Sequence, residues 1–587
     1  MAFMHLIPRD IPPRTQWQLE QAGIHPLLAR LYAARGVSSI DEVDASLKRL
    51  LPPDTLEGTH EAALLLADAL EQQHKLCIVA DYDCDGATAC SVALRGLAML
   101  GFAREQLSYL VPDRVVDGYG LTAAIADRVK ATGAGLLVTV DNGIASLEGV
   151  AHARQLGLQV LVTDHHLPAL VDGQVKLPEA NVIVNPNAPQ CSFSSKAMAG
   201  VGVMFYVLLA LRAELRARGR FDAQTQPRLD KLLDLVALGT VADVVRLDAN
   251  NRRLVAQGLE RMRKGQMQPG VAALFQVARR NPARASTFDM GFALGPRLNA
   301  AGRLADMTIG IECLTTDDAA LATRLAGTLD QINRERKDIE SDMLERSLVL
   351  LEQHLTVDEQ LDSAAQLPAA IAIYDAGFHE GVVGILASRI KEKFYRPAFV
   401  FAPSQAPGQE QILKGSGRSI AGFHLRDALD LVEKRHPGML LRFGGHAMAA
   451  GCTLRAQDFE TFASVLAQIA AELLDAATLA RTLPTDGPLP ASYCTPQTAH
   501  LLQTAVWGNG FAAPVFSEPL QILSQRIVGE KHLALKLNYQ QQVVDGIWFG
   551  RSAPLPQRAT LAYRLEADEW QGQQRVRFVV EGMDDGA

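Results

Sequence analysis

Cysteine is scarce in this chain of 587 residues: there are seven, and no two of them form a Cys-x-x-Cys pair. An odd count without paired spacing argues against a disulfide framework and a thiolate zinc site, and it favours reduced thiols in a cytoplasm. Long apolar runs are also missing. The longest, 197–211, is shorter than the about 20 residues that span a bilayer, so it predicts a buried helix and no membrane contact. Residues 1–17 show no apolar core of a signal peptide.

An excess of positive charge is absent as well. Lys and Arg number 57 against 65 Asp and Glu, which gives a formal net charge of -8. This argues against a globally basic nucleic-acid coat protein but leaves room for a local basic groove. The sequence also lacks the Gly-x4-Gly-Lys-Ser/Thr motif of P-loop NTPases. With 48% hydrophobic residues the chain can bury sizeable cores, and its length predicts about three to five domains.

The first 300 residues have two patterns. Residues 1–55 predict a short helical leader with Pro-Pro at 12–13 and 52–53. From 56 to 300, short apolar runs alternate with longer amphipathic stretches. This rhythm predicts an α/β domain in which a parallel sheet is covered by helices on both faces. The apolar runs that predict its strands are 76–80, 107–111, 136–140, 160–163 and 182–184.

Three further regions follow. Residues 301–365 are polar and nearly free of Gly, which predicts a long connecting helix. A second α/β unit is predicted for 366–480, and 484–490 (PTDGPLP) predicts a linker. The alternating strands of 485–587 predict a small β-barrel, with an OB fold as the leading candidate.

Acidic residues and histidines directly follow three of the predicted strands. These are DYDCDG at 81–86, DNG at 141–143 and DHH at 164–166, and Asp243 follows the apolar segment 235–242. Because parallel strands point their carboxyl ends to one edge of a sheet, we expect these side chains to converge. Carboxylates gathered so closely repel one another unless cations intervene. Oxygen and imidazole ligands suit Mn²⁺ or Mg²⁺, and a pair of such ions promotes phosphoryl chemistry.

Each of these residues has an ordinary alternative. An Asp after a strand is commonly a helix N-cap, and a His-His pair can lie on a surface. The joint pattern at three strand ends favours the metal interpretation. Cys84, inside the first motif, is predicted to fill space rather than to act as a nucleophile.

The order of these motifs resembles the DHH phosphoesterase superfamily. Later segments sharpen the resemblance: GPRLNAAGR at 295–303, GILASR at 384–389, GSGRS at 415–419 and GGHAMAAG at 444–451. With the β-rich tail, residues 50–580 are similar to a family of bacterial single-strand-specific 5′→3′ DNA exonucleases. The resemblance implies a DHH domain at 56–300, a DHHA1-type domain at 366–480 and an OB-like barrel at 485–587.

The resemblance also implies two divalent cations, Mn²⁺ or Mg²⁺. Asp81 and Asp83 would hold the first, and Asp141 would bridge the two; the ligands of the second would be Asp85, His165 and Asp243. His166 would contact the scissile phosphate and act in catalysis with Asp141. Smaller family members carry a His where this chain has Val79, so Asp81 is expected to serve as the substitute ligand.

Substrate contacts are expected from basic and Gly-rich segments. The segment 415–419 predicts a flexible loop whose amides and guanidinium cradle a phosphate, with a plain Gly-rich turn as the alternative. Tyr119 either stacks on a base or fills a turn. In the barrel, Trp548, Phe549, Tyr563 and Trp570 are candidates for base stacking, and about half of them should be core. The substrate-binding candidates are Arg114, Arg297, Asn299, Arg303, Ser388, Arg389, Gly417, Arg418, Ser419, Gly445 and His446.

The implied function is hydrolysis of single-stranded DNA from the 5′ end to mononucleotides, in DNA recombination and repair. Its implied partners are a single-strand-binding protein and a DNA helicase, in a bacterial cytoplasm. Two alternatives stay open. The chain could be a superfamily phosphodiesterase for oligoribonucleotides or cyclic dinucleotides, although those relatives are usually shorter. It could be a non-catalytic replication scaffold, which the full set of metal-type ligands disfavours.

Overall fold

The computed structural model describes residues 4–113, 117–171, 173–355, 367–406, 408–409, 411–475, 478–570 and 573–584. The chain forms two compact units. The first unit contains residues 11–333 and 501–513. The second unit contains residues 1–10, 334–500 and 514–587.

The first unit is built on a five-stranded sheet whose strands are all parallel. Its two central strands are fully buried, as Val- and Leu-rich strands covered by helices on both faces should be. The predicted strands agree with the observed ones to within one residue at each end. In spatial order the strands are Leu107–Leu110, Leu76–Ala80, Leu136–Val140, Gln159–Thr163 and Val182–Val184.

Helices cover this sheet and extend the unit. The predicted buried helix is confirmed as Gly200–Ala217, whose first nine residues are all buried. A small hairpin, Ala169–Val171 with Gln174–Lys176, follows the DHH motif at 164–166. The other principal helices are Pro13–Gln21, Pro26–Ala33, Thr59–Glu71, Cys84–Met99, Ala123–Ala131, Leu147–Gln155, Leu233–Ala242, Ala249–Arg263, Pro269–Val277, Gly295–Leu304 and Thr308–Thr315.

The predicted connecting helix is observed as Ala319–Leu355, with 37 residues. The second unit then contains the predicted second α/β domain. Its five-stranded sheet is antiparallel except for the last pair. In spatial order the strands are Leu440–Gly445, Ala449–Arg455, Ile412–Arg418, Ala398–Pro403 and Ile371–Tyr374, and the helices are Val383–Phe394, Leu425–Arg435 and Phe459–Leu473.

The predicted C-terminal barrel is confirmed as a closed barrel of five strands. Tyr563 is buried in its core, whereas Phe549 is 52% exposed and Trp548 is half-buried. Tyr563 is therefore unavailable for base stacking, and the side chain of Trp570 lies outside the described residues. In barrel order the strands are Phe516–Val528, His532–Tyr539, Gln542–Trp548, Gln573–Met583 and Arg558–Trp570.

One local prediction is wrong. The leader is not entirely helical, because Met4–Pro8 is a strand that pairs in parallel with Arg481–Thr485. The predicted linker 484–490 is anchored at its start: Thr485 and Asp486 are buried, and Asp486 accepts a hydrogen bond from the Val515 amide (3.0 Å). Pro484 is compatible with this strand because a two-stranded sheet leaves each strand with a free edge that needs no amide donor.

All seven cysteines are unpaired, and six of them are buried. In the described part of the chain, no helix combines the length and hydropathy that a membrane span needs.

Candidate metal centre

The first motif, 81–86, connects strand Leu76–Ala80 to helix Cys84–Met99 and forms the start of that helix. Asp83 is the N-cap of this helix and accepts a hydrogen bond from the Gly86 amide (3.0 Å). Asp85 is fully buried, and its carboxylate accepts from the amides of Gly200 (2.6 Å) and Val201 (3.0 Å). The N-cap alternative is thus real for Asp83, but it uses one oxygen only and leaves the other available.

The second motif places Asp141 directly after strand Leu136–Val140. Asp141 is buried and has a left-handed backbone with φ +63°. The Asn142 amide donates to the carbonyls of Val79 (3.0 Å) and Val140 (2.9 Å), which ties two strand ends together. Gly200 lies so close that a Cβ there would be 2.6 Å from Asp141 Cβ. These contacts hold the Asp141 carboxylate in one position.

The third motif is organised by Asp164, which is buried. Its carboxylate accepts hydrogen bonds from the amides of Ile144 (2.9 Å), His165 (2.7 Å) and His166 (3.1 Å) and from His166 Nδ1 (2.7 Å). Burial alone would raise the pKa of Asp164, but the hydrogen bond and charge of His166 lower it. Asp164 belongs to the third motif but was not among the predicted ligands. Its hydrogen bonds position both histidines.

His166 is bonded to the Asp164 carboxylate through Nδ1, which leaves its other ring nitrogen, Nε2, for a second contact. Burial lowers its pKa, but the hydrogen bond and charge of Asp164 outweigh burial and raise the pKa to about 9. The Tyr119 hydroxyl lies 3.3 Å from His166 Nε2, and the two rings meet edge to face. Tyr119 therefore belongs to the site.

Asp243 follows the helix Leu233–Ala242, so it comes from a helix end and not from a strand of the parallel sheet. It nevertheless reaches the same point. His165 Nε2 lies 3.1 Å from Asp141 Oδ1 and 3.5 Å from Asp243 Oδ2. Among the described residues, none of these three buried atoms has a partner with hydrogen-bond geometry. A cation that the three share would satisfy them.

The side chains form three overlapping sets, and within each set the ligand atoms lie within 4.8 Å of one another. Asp141 and His165 each belong to two of them, so these two residues connect the sets. His166 is grouped with ligands as well, although its Nδ1 is committed to Asp164. The sets are Asp81, Asp83 and Asp141; Asp85, His165 and Asp243; and Asp141, His165 and His166.

The electrostatics also fit a cation. Burial and then the neighbouring carboxylates raise the pKa of Asp141 and of Asp243 well above the usual range, and they raise the pKa of Asp85 to about 7. Burial, with the charge of His166, lowers the pKa of His165 to about 4, so this imidazole is neutral and able to ligate. Bound divalent ions would relieve the repulsion that keeps these carboxylates protonated.

The substrate-binding candidates of the first unit have varied surroundings. Arg297 is paired with buried Asp330 (2.8 Å). Asn299 Oδ1 accepts from the Cys84 amide (2.7 Å), so it supports the first motif. Arg303 is half-buried in the last turn of helix Gly295–Leu304, which also contains Arg297 and Asn299. Arg114 lies outside the described residues.

The candidates of the second unit cluster around strand Ile412–Arg418. The prediction of a flexible loop at 415–419 is wrong, because 415–418 are paired in this strand on both sides. A Cβ at Gly417 would be 2.4 Å from the Phe399 ring, so this glycine makes room for the core. Arg418 donates to Ser416 Oγ (3.0 Å), and the buried Ser419 hydroxyl donates to the Phe423 carbonyl (2.6 Å).

The remaining candidates of this unit lie on neighbouring elements. Ser388 and Arg389 are on helix Val383–Phe394, where the Ser388 hydroxyl donates to the Gly384 carbonyl (3.3 Å) and Arg389 donates to Glu340 (2.8 Å). Gly445 has φ +135° at the end of its strand, and the His446 amide donates to the Ala449 carbonyl (2.8 Å).

Comparison with known proteins identifies the family. The DHH family N-terminal domain matches residues 75–240, the DHHA1 domain matches 366–472, and the RecJ OB domain matches 485–582. The "Single-stranded-DNA-specific exonuclease RecJ" of Escherichia coli (strain K12) is 46% identical over 572 residues, which cover 96% of each chain. The chain belongs to the RecJ family.

Other RecJ proteins are similar to this chain over nearly its whole length. The Salmonella typhimurium protein of the same name is 45% identical over 95% of this chain and 96% of its own length. The crystal structure of RecJ from Thermus thermophilus in complex with Mn²⁺ has a TM-score of 0.81 at 29% identity, covering 100% of this chain and 80% of that one. The Mg²⁺ complex of the same protein has a TM-score of 0.74 at 28% identity and covers 100% and 79%.

Proposed function

We propose that this chain is a metal-dependent exonuclease that hydrolyses phosphodiester bonds of single-stranded DNA from the 5′ end and releases mononucleotides, in DNA recombination and repair. The observation that carries the proposal is the convergence of carboxylates and a neutral imidazole from four separate segments into overlapping ligand sets. RecJ relatives named as single-stranded-DNA-specific exonucleases over nearly the whole chain support it.

Two divalent cations, Mn²⁺ or Mg²⁺, fit the donor sets. Manganese and magnesium complexes of the Thermus thermophilus relative support the choice of metal. When bound, such ions polarise the phosphate and lower the pKa of the attacking water. We assign Asp81 and Asp83 to one ion, Asp85, His165 and Asp243 to the other, and Asp141 to both.

The chain's own residues supply the rest of the chemistry. Asp164 orients His166 and favours its protonated form, so His166 Nε2 can donate a hydrogen bond to a phosphate oxygen as negative charge develops there. Cys84 is a poor nucleophile, because burial and then the charges of Asp83 and Asp85 raise the pKa of its thiol well above the usual range. Hydrolysis therefore needs no covalent intermediate on this cysteine.

The C-terminal barrel supports a single strand as substrate, since OB folds bind strands with cations and aromatic rings. Arg551 lies 4.4 Å over the Trp548 ring, and Phe549 is exposed beside it. A single-strand-binding protein and a helicase are proposed as partners by family resemblance. The unpaired cysteines support a cytoplasmic location.

The test of the metal centre is Asp141→Asn. Asn accepts a left-handed backbone, so the fold is kept while the bridging charge is lost. We expect release of mononucleotides from a 5′-labelled single strand to fall by more than the about 100-fold that outer-sphere changes cause. DNA binding should persist. Comparing strands blocked at either end tests the 5′→3′ direction.

The matched control is Asp234→Asn, which changes another buried aspartate of the same unit outside the ligand sets. It should keep full activity. Wild-type rates in Asp141→Asn, with unchanged Mn²⁺ binding, would refute the assignment.

A further inference from the structure

Residues 279–292 of the first unit combine exposed aromatic rings with arginine side chains. Phe288 and Phe292 are 43% and 73% exposed. Their ring centroids lie 4.8 Å apart with the planes inclined by 28°, so the rings stack on each other. Arg280 lies over Phe288, 5.8 Å from the ring centroid. We call Phe288, Phe292 and Arg280 the aromatic platform.

The local fold turns these rings outward. Ser286 and Asp289 form a capping box that starts a short helix, in which the Ser286 hydroxyl donates to Asp289 (2.7 Å). The next turn, Met290–Leu294, is a π-helix whose first and last residues are fully buried. Phe288 and Phe292 are four residues apart and share the opposite, solvent-facing side. π-helical turns are frequent at functional sites.

The platform flanks the metal centre. Gly295 lies against Ala242, where a Cβ would be 3.0 Å from the alanine Cβ, and Gly291 lies against Val241. The next residue of that helix end is the ligand Asp243. Asp243 is two residues after Val241, and two residues of chain span at most about 7 Å. The π-helical turn that carries Phe292 therefore packs against the same end of helix Leu233–Ala242 from which Asp243 extends.

Val244 directly follows Asp243 in the chain and is unusual in two respects. It is 65% exposed, and it is a β-branched residue with φ +61°. Asn509 donates to its carbonyl (2.7 Å), which supports this strained conformation. Strained backbone of this kind concentrates at functional sites. Val244 thus adds an exposed apolar side chain next to Asp243 in the chain.

The charge of the segment favours a polyanion. Residues 279–292 contain three arginines and one acidic residue, in a chain whose net charge is -8. Arg279, Arg280 and Arg284 are exposed, whereas Asp289 is buried and lies 3.6 Å from Arg280. Stacking rings together with positive charge characterise surfaces that bind single-stranded nucleic acid. Three arginines on one short segment of a chain with a net charge of -8 favour a polyanionic strand over a protein partner.

We propose that the aromatic platform stacks unpaired bases of the substrate strand, a few nucleotides to the 3′ side of the scissile phosphate. This inference rests on the proposed exonuclease function and adds a DNA contact within the first unit. The platform holds the part of the strand that follows the nucleotide being released.

The test is the double variant Phe288→Ala/Phe292→Ala, compared on a long single strand and on a dinucleotide. We expect KM for the long strand to rise about 5- to 150-fold for each stacked base that is lost. The rate on the dinucleotide, which is too short to reach the platform, should not change. The double variant Phe288→Tyr/Phe292→Tyr should keep the wild-type KM, and Phe288→Leu/Phe292→Leu should not. Trp17→Ala, which removes another exposed ring of the same unit, is the control.

An abasic residue moved along the strand gives a second measurement. It should weaken binding to the wild type at one or two positions and have no such effect on the double alanine variant. An unchanged KM in that variant, or a wild-type KM in Phe288→Leu/Phe292→Leu, would overturn the platform, and the second result would indicate an apolar protein contact instead. A wild-type protein that hydrolyses neither substrate would refute the proposed function rather than the platform.

Discussion

Gly200→Ala should damage the metal centre while leaving the fold intact. The added Cβ would lie 2.6 Å from both Cβ and Oδ1 of Asp141, whereas ordinary contacts begin at 3.4 Å. One of the two residues must therefore move by about 0.8 Å in an interior that is close-packed. A misplacement near 1 Å can cost about 100-fold in rate, so we expect a loss of roughly that size. Overpacking should cost about 1–3 kcal/mol in the free energy of unfolding.

The matched control is Gly202→Ala on the same helix. Its Cβ would meet only the flexible side chain of Met198, at 3.3 Å, and Gly→Ala inside a helix stabilises by about 0.5–1 kcal/mol. The assay is the initial rate of mononucleotide release in Mn²⁺, measured with Mn²⁺ titration and thermal melting. A Gly200→Ala protein with the wild-type rate and Mn²⁺ affinity would refute the reasoning, as would an equal loss in Gly202→Ala.

Three further changes test neighbouring parts of the structure. Asp164→Asn replaces one of the two carboxylate oxygens by an amide group and so disturbs the hydrogen bonds that orient His166. We expect kcat to fall about 10- to 100-fold, and an unchanged kcat would contradict this role of Asp164. Arg297→Ala leaves Asp330 buried without this partner and should cost about 3–5 kcal/mol in denaturant melts; weaker DNA binding at full stability would assign Arg297 to the substrate instead. Burial raises the pKa of Asp234 from 3.8 to about 6, so its ionised form destabilises the fold as pH rises through that range. Asp234→Asn should therefore be more stable at neutral pH, by up to about 3 kcal/mol, and a gain that does not shrink as pH falls below 6 would refute this.

Local sequence patterns predicted much of this protein. Short Val- and Leu-rich runs predicted the parallel strands, and alternation of apolar residues predicted the barrel. The acidic and histidine motifs follow strands directly, so the shared edge of a parallel sheet was enough to bring Asp141 and His165 together. These features depend on residues that are close in the chain or on a general rule of sheet topology.

Other features were decided only by tertiary structure. Met4–Pro8 became a strand because Arg481–Thr485 lies beside it, and the glycines at 415 and 417 became part of a strand because two Phe rings fill their space. Asp243 reaches His165 from a helix end, through packing that no strand pattern describes.

The amino-acid sequence alone therefore determined which chemical groups are available and at which edge of a sheet most of them gather. The three-dimensional structure decided their exact partners: Gly200 against Asp141, Asn299 on Cys84 and Asp330 on Arg297. Each of these contacts joins residues that are far apart in the chain. Such contacts depend on which surfaces fit together in the folded core, and local propensity carries no information about that fit.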